Sequence, residues 1–376
     1  MAATIVPAVV VTMFGIVFAL ANPDLLSWAS QTLTDVFRRL QQWLQSHSPG
    51  PGEFVFWYAV AWCAGGLMRA LRGTPPTQTA PEAVHAPQER RPAAFYEMYR
   101  NSLAGLAALF AVYLVYEFTT LWGRQFLPGF HYSGYAHEGA AWLTLALAMA
   151  TAGLSLVFTE RTLADPRLRV LRRLGNIWVA ENLLLAVAVY HRLHIYIGFN
   201  GMTRMRVVGI LGISAVVAGL LLAVWKIHHR RSFFWLVQRD LWTLALAMYA
   251  YCVLPVDGLT TSYNVRRILR GDPAPSVQLS VHPLDAEGLR ALSPLLKCDD
   301  ALIREGVRAM LAMELERTDK PQDAFQPPTG WTAYQASEQG LRAELSAMRP
   351  ELEAFADAAS RQSARAAFDA YAYQWY

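Results

Sequence analysis

Three polar stretches carry the residue types that could do chemistry: His131 to Gly139 (HYSGYAHEG), His191 to Arg206 (HRLHIYIGFNGMTRMR) and Tyr263 to Arg267 (YNVRR). Each joins or ends a hydrophobic segment where a simple turn would suffice. The first gathers His131, Tyr132, Tyr135, His137 and Glu138. Imidazole and carboxylate are suitable zinc ligands, and a catalytic site needs three of them. The spacing matches no zinc motif, so a structural or hydrogen-bonding role is the stronger reading and no metal is assigned. In the second stretch His191 and His194 share a helix face, at a span end where two half-wet histidines need no functional explanation. Arg192 is more informative. An arginine near a span end can snorkel, but central burial costs from about 2.5 kcal/mol upward, so it takes a carboxylate, phosphate or carbonyl partner. Glu138, Asp257 and an anionic lipid headgroup are the candidates.

Further polar groups fall inside hydrophobic segments: Glu117, and Glu181 with Asn182. Proton or ion coupling is one reading of intramembrane carboxyls. Helix-to-helix hydrogen bonding with the carboxyl protonated is the stronger one, because no regular relay accompanies them. There is no phosphate-binding glycine loop, no HExxH, no GxSxG and no CxxC. A non-enzyme is favoured and no cofactor is implied.

The elements that position these residues follow from composition. The chain is 54% hydrophobic and only 16% charged, outside the range of about 45–50% and 25% usual for soluble domains. Its apolar residues form long runs before about residue 256, and a span needs about 20 of them. The qualifying segments are Thr4 to Ala21, Glu53 to Leu71, Ser102 to Trp122, Ala140 to Phe158, Ile177 to Ile197, Val207 to Ile227 and Phe234 to Leu254. The fold expected is all-α: a polytopic transmembrane bundle of about seven spans with a C-terminal helical soluble domain. Residues 1–73 read as a two-span N-terminal unit, 74–98 as a flexible Pro- and Ala-rich linker, 99–256 as a five-span unit and 257–376 as the soluble domain.

Arginine-rich loops alternate with poorer ones: Arg72, Arg90 and Arg91; Arg161, Arg167, Arg169, Arg172 and Arg173; Lys226, Arg230 and Arg231. Cytoplasmic loops are enriched in Lys and Arg. The N-terminus is therefore expected inside, with the three polar stretches and the tail outside. Ala19-Leu20-Ala21 resembles a signal cleavage site, but without a basic n-region an uncleaved anchor is the better reading. Leu25 to Leu44 has helical apolar spacing with Trp28 and Trp43, as a helix lying in the interface would; a soluble helix packed on its own bundle is the competing reading. In the tail, Ile303, Val307, Met310 and Leu311 mark a helix capped by Asp299 or Asp300. A second helix from Leu341 to Phe355 is interrupted by Pro350. Acidic residues outnumber basic ones in the tail, so the basic excess lies in the membrane part and nucleic acid is a poor partner. The lipid bilayer is the partner implied. Cys63, Cys252 and Cys298 are too few for a disulfide framework and read as small apolar residues and an exposed thiol, although Cys252 and Cys298 could pair in an oxidising compartment.

Taken together, the stretches resemble the bacterial membrane families catalogued as domains of unknown function 4153 and 4173. Tyr132, Tyr135 and Gly139 match a Tyr-x-x-Tyr-x-x-x-Gly element before a span. Arg192 and Tyr196, then Gly201, Met202, Thr203 and Arg206, match an Arg-x-x-x-Tyr element leading to Tyr-Gly-Leu-Thr-x-x-Arg. Pro255 and Asp257, then Tyr263, Asn264 and Arg267, match Asn-Pro-Asp and Tyr-Asn-x-x-Arg elements. Asn200 replaces a Tyr, and Val256 separates Pro255 from Asp257. The resemblance implies a bacterial multi-pass inner-membrane protein of the cell envelope, with no established activity. One expectation is a shared outer-face site of Tyr132, Tyr135, His137, Glu138, Arg192, Tyr196, Gly201, Thr203, Arg206, Tyr263, Asn264 and Arg267. It would bind an anionic lipid headgroup or envelope metabolite, for transport or as substrate. The other is that these groups are internal fasteners docking a tail that recruits an envelope protein.

Overall fold

The computed structural model describes residues 2–47, 94–120, 132–159, 167–319, 335–353 and 357–375, with residues 58, 60, 122, 162 and 355 besides. The segment Glu53 to Leu71 is outside the described residues but for Tyr58 and Val60, as are Thr74 to Pro92 and His131.

Hydrophobic runs become helices long enough to cross a bilayer: α1 (Ala2–Leu20), then, after α2 (Pro23–His47), α3 (Ala94–Thr120), α4 (Tyr132–Val157), α5 (Leu168–Asn200) and α6 (Arg204–His229). A sixth candidate is the pair α7 (Phe233–Val253) and α8 (Val256–Ile268), apolar enough together but bent by 67° at the break between them. The break has a local cause. Leu254 precedes Pro255 and is driven out of the helical region to φ −68°, ψ 137°, as the proline ring requires.

In the bundle α1 packs on α3 and α4, α3 on α5, and α4 on α5 and α6, while α7 lies chiefly against α6. Lipid removes the hydrophobic drive between helices, so close packing must hold them. Phe14 and Phe18 of α1 interlock with Phe110 of α3 at ring separations of 5.4 and 4.9 Å, and Trp178 of α5 closes the cluster 5.7 Å from Phe110. Gly175 admits Phe158 where a Cβ would lie 2.8 Å from the ring. The outward face of α7, with Phe234, Leu241, Trp242 and Leu246 exposed, is the apolar surface lipid demands. On α2, Trp28, Leu33, Val36 and Phe37 are exposed too.

Beyond α8 the tail folds as α9 (Ser276–Val281), α10 (Ala286–Arg290), a 3₁₀ turn (Ser293–Lys297), α11 (Ala301–Asp319), α12 (Ala336–Ala347), α13 (Arg349–Glu353), α14 (Ala358–Ala372) and a last 3₁₀ turn (Tyr373–Trp375). It has its own core, built from Val265, Leu292, Leu295, Val307, Leu345 and Phe368 among others. Asp300 caps α11, accepting from the N–H of Leu302 at 2.9 Å and of Ile303 at 3.3 Å. The helical run around Pro350 is split into α12 and α13. Cys252 and Cys298 are both free thiols, one exposed and one buried in the tail core.

Candidate functional site

Arg192, on α5, is 1% exposed. Its Nε and Nη2 donate to both carboxylate oxygens of Glu117 on α3, at 2.7 and 2.6 Å, and its Nη1 donates to the Ala21 carbonyl at the end of α1, at 2.8 Å. Tyr113, one turn before Glu117, donates its hydroxyl to the same carboxylate at 2.9 Å and stacks on Phe18 of α1. The partner is thus Glu117, not Glu138, which is exposed, nor Asp257, which pairs elsewhere. Gly139 of α4 completes the site. A Cβ there would run into Nη1 of Arg192 and lie 2.7 Å from the Ala21 carbonyl. The planar guanidinium therefore ties α1, α3 and α5 together against a helix that leaves room for it.

A second cluster is built on the turn from α5 to α6. Gly201, at φ 92°, reverses the chain, a conformation open to glycine at little cost. Thr203 caps α6, its hydroxyl accepting from the N–H of Arg206 at 3.3 Å. Asn264 of α8 reads the turn as a neighbouring strand would: its Oδ1 accepts from the Met202 N–H at 2.7 Å and its Nδ2 donates to the Met202 carbonyl at 2.8 Å. Arg267, one turn on, donates to the Ile197 and Gly198 carbonyls at 2.7 and 2.6 Å, capping the end of α5, and pairs with Asp272. Arg204 pairs with Asp257, whose carboxylate also accepts from the N–H of Asp285 at 3.1 Å. From the far end of the tail, the Trp375 carbonyl accepts from Asn200 at 3.3 Å.

Arg206 is different. It is 4% exposed, donates to the Gly201 carbonyl and to Asn200 Oδ1, and lies with its guanidinium 3.8 Å from the centre of the Tyr196 ring. Among the described residues it has no carboxylate partner, unlike Arg192, Arg204 and Arg267. It lines a cleft of about 820 Å³ between the span ends and the tail, together with Tyr196, Asn200, Thr203, Arg204, Asp257 and Asn264.

Of the residues singled out from sequence, the cleft brings together Tyr196, Thr203, Arg206 and Asn264, while Gly201 and Arg267 shape the turn behind it. Arg192 belongs to the separate cluster with Glu117. Tyr263 is exposed on α8. Tyr132, Tyr135 and His137 open α4, with side chains outside the described residues, and Glu138 is exposed. His191 stacks on Trp122 at 4.2 Å, His194 is exposed, and no group able to hold a metal ion occurs among the described residues. On α5, Glu181 Oε2 and Asn182 Oδ1 are buried without hydrogen-bond partners, Asn182 donating to the Trp178 carbonyl at 2.7 Å. Sequence reasoning missed Tyr113, Arg204 and Asp272 as site residues. Only Arg204 carried a signal, as a charge just outside an apolar run.

No curated protein and no solved structure matches the chain. The apolar helices make it a multi-pass integral membrane protein in contact with the lipid bilayer. The model of the family described as Domain of unknown function (DUF4153) matches residues 1–295, spans and polar motifs included, and the chain belongs to that family.

Proposed function

We propose that this protein is a membrane platform that holds a helical domain in fixed register on one face of the bilayer, where the domain recruits a partner. The carrying observation is the double hydrogen bond between the Asn264 amide and the Met202 backbone. A tail merely tethered to a span has no need of a side chain that pairs with the turn of a neighbouring hairpin. Arg267 on the α5 carbonyls, Arg204 on Asp257 and Asn200 on Trp375 act in the same sense. The distribution of Lys and Arg supports the outer face of a bacterial inner membrane as the location. An anion site shared by Arg192, Arg206 and Arg267, for transport or catalysis on an envelope metabolite, has less support. Arg192 and Arg267 already meet internal acceptors in full geometry.

Double electron–electron resonance tests the platform. Spin labels at Val208 on α6 and Met313 on α11, both exposed, are placed in protein whose native cysteines are replaced and which is reconstituted in vesicles. The expected result is one narrow distance distribution that broadens on Asn264→Ala. A broad distribution in the unaltered protein, or no change in the variant, overturns the reading.

A further inference from the structure

The cleft between the span ends and the tail is walled on one side by apolar residues of α5 and α6 and on the other by charged ones. Leu193, Met205, Gly209 and Ile213 form the apolar wall, and Arg204, Arg206 and Asp257 stand at the polar end. Along α6 the lining runs from Thr203 to Ile213, about 15 Å at 1.5 Å per residue. That is about half of the roughly 30 Å thickness of a hydrocarbon core, measured from the N-terminal end of the apolar helix α6. Its volume, about 820 Å³, falls within the roughly 300–1,000 Å³ of small-molecule sites.

Charge selects the occupant. Arg204 is balanced by Asp257. Among the described residues buried Arg206 meets neutral groups, a carbonyl, an amide oxygen and the ring and hydroxyl of Tyr196, and no carboxylate. A buried cation without a counter-ion is costly; the Gly201 carbonyl is one of the partners open to such a group, but it leaves the charge of Arg206 unbalanced, which a phosphate would balance. Two glycines keep the apolar wall open: a Cβ added at Gly212 meets nothing within 4 Å, and one at Gly209 meets only Leu193, at 3.7 Å.

We propose that the cleft binds one anionic, phosphate-bearing amphiphile, its phosphate facing Arg206 and its chain lying along α6. This goes beyond the platform reading and does not depend on it, since the residues that fasten the turn to α8 are not those of the apolar wall.

The test is native mass spectrometry of the full-length protein in detergent, titrated with phosphatidylglycerol, phosphatidylethanolamine or glycerol 3-phosphate. One phosphatidylglycerol is expected to bind at least about tenfold more tightly than phosphatidylethanolamine, with no retention of glycerol 3-phosphate. Gly212→Leu, which fills the wall while leaving every fastening bond in place, should weaken that one site at least about tenfold, and Arg206→Gln should erase the preference for the anionic lipid. Three results overturn the proposal: equal binding of the two lipids; retention of glycerol 3-phosphate regardless of Gly212→Leu; or unchanged phosphatidylglycerol binding in Gly212→Leu, which would mark surface lipid only. If Arg206→Gln fails to fold, Gly212→Leu decides by itself, and the label distances described above remain unchanged in it.

Discussion

Arg192 and Glu117 form a bidentate pair at 2.7 and 2.6 Å with both side chains essentially inaccessible. In this position geometry is everything. Two charges removed from water repay their desolvation only when the remaining donors and acceptors are also met, and here Ala21 and Tyr113 meet them.

Removing one partner strands the other. Arg192→Met or Glu117→Leu alone should destabilise the bundle by about 3–5 kcal/mol, whereas the double variant should lose much less than the sum. Thermal unfolding of the detergent-solubilised protein, followed across all three variants, checks this; additive losses would mean the two residues do not act as a pair.

Gly139 and Gly198 separate close packing from helix propensity. Gly139→Ala drives a methyl into the Arg192 guanidinium and should cost about 1–3 kcal/mol. Gly198 has open space around its Cβ position, so Gly198→Ala within α5 should be neutral or stabilising by up to about 1 kcal/mol. The two melting temperatures, measured side by side, should move in different directions or by clearly different amounts.

Gly201→Ala combines backbone strain at φ 92° with a Cβ pressed against Asn264 and 2.9 Å from Pro275. A loss of about 1–3 kcal/mol is expected from the strain. Hydrogen exchange should rise at the α5–α6 turn and in α8 while α1 and α3 stay protected; uniform exchange would contradict a local fastening.

In the tail, burial and then a 2.7 Å hydrogen bond to Asp300 push the Tyr371 hydroxyl up to about 12. The folded state thus favours the neutral phenol. Its contribution is fully present below the ordinary tyrosine value of about 10 and is lost as pH rises through the folded value. Melting temperatures between pH 9 and pH 12 should fall less steeply in Tyr371→Phe than in the unaltered protein; parallel curves would remove Tyr371 from the account.

What could be read along the chain was what local physics determines. A run of about 20 apolar residues can only be a span or a buried helix, so Thr4 to Ala21 and Val207 to Ile227 identified themselves, as did the interruption at Pro350 and a cap for α11 at Asp299 or Asp300, of which the structure uses Asp300. The need of Arg192 for a partner was also legible, because the cost of its burial depends on the residue and its depth alone. The identity of that partner was not. Glu117 lies 75 positions away, and nothing in helical period says how two spans are rotated about their axes. Lipid wets every apolar face equally, so only the packing of Phe14, Phe110 and Trp178 and the space left at Gly139 turn Glu117 toward Arg192. For the same reason the tertiary structure alone decided that Asn264 closes on Met202, and that Arg206 is the arginine left facing a cleft.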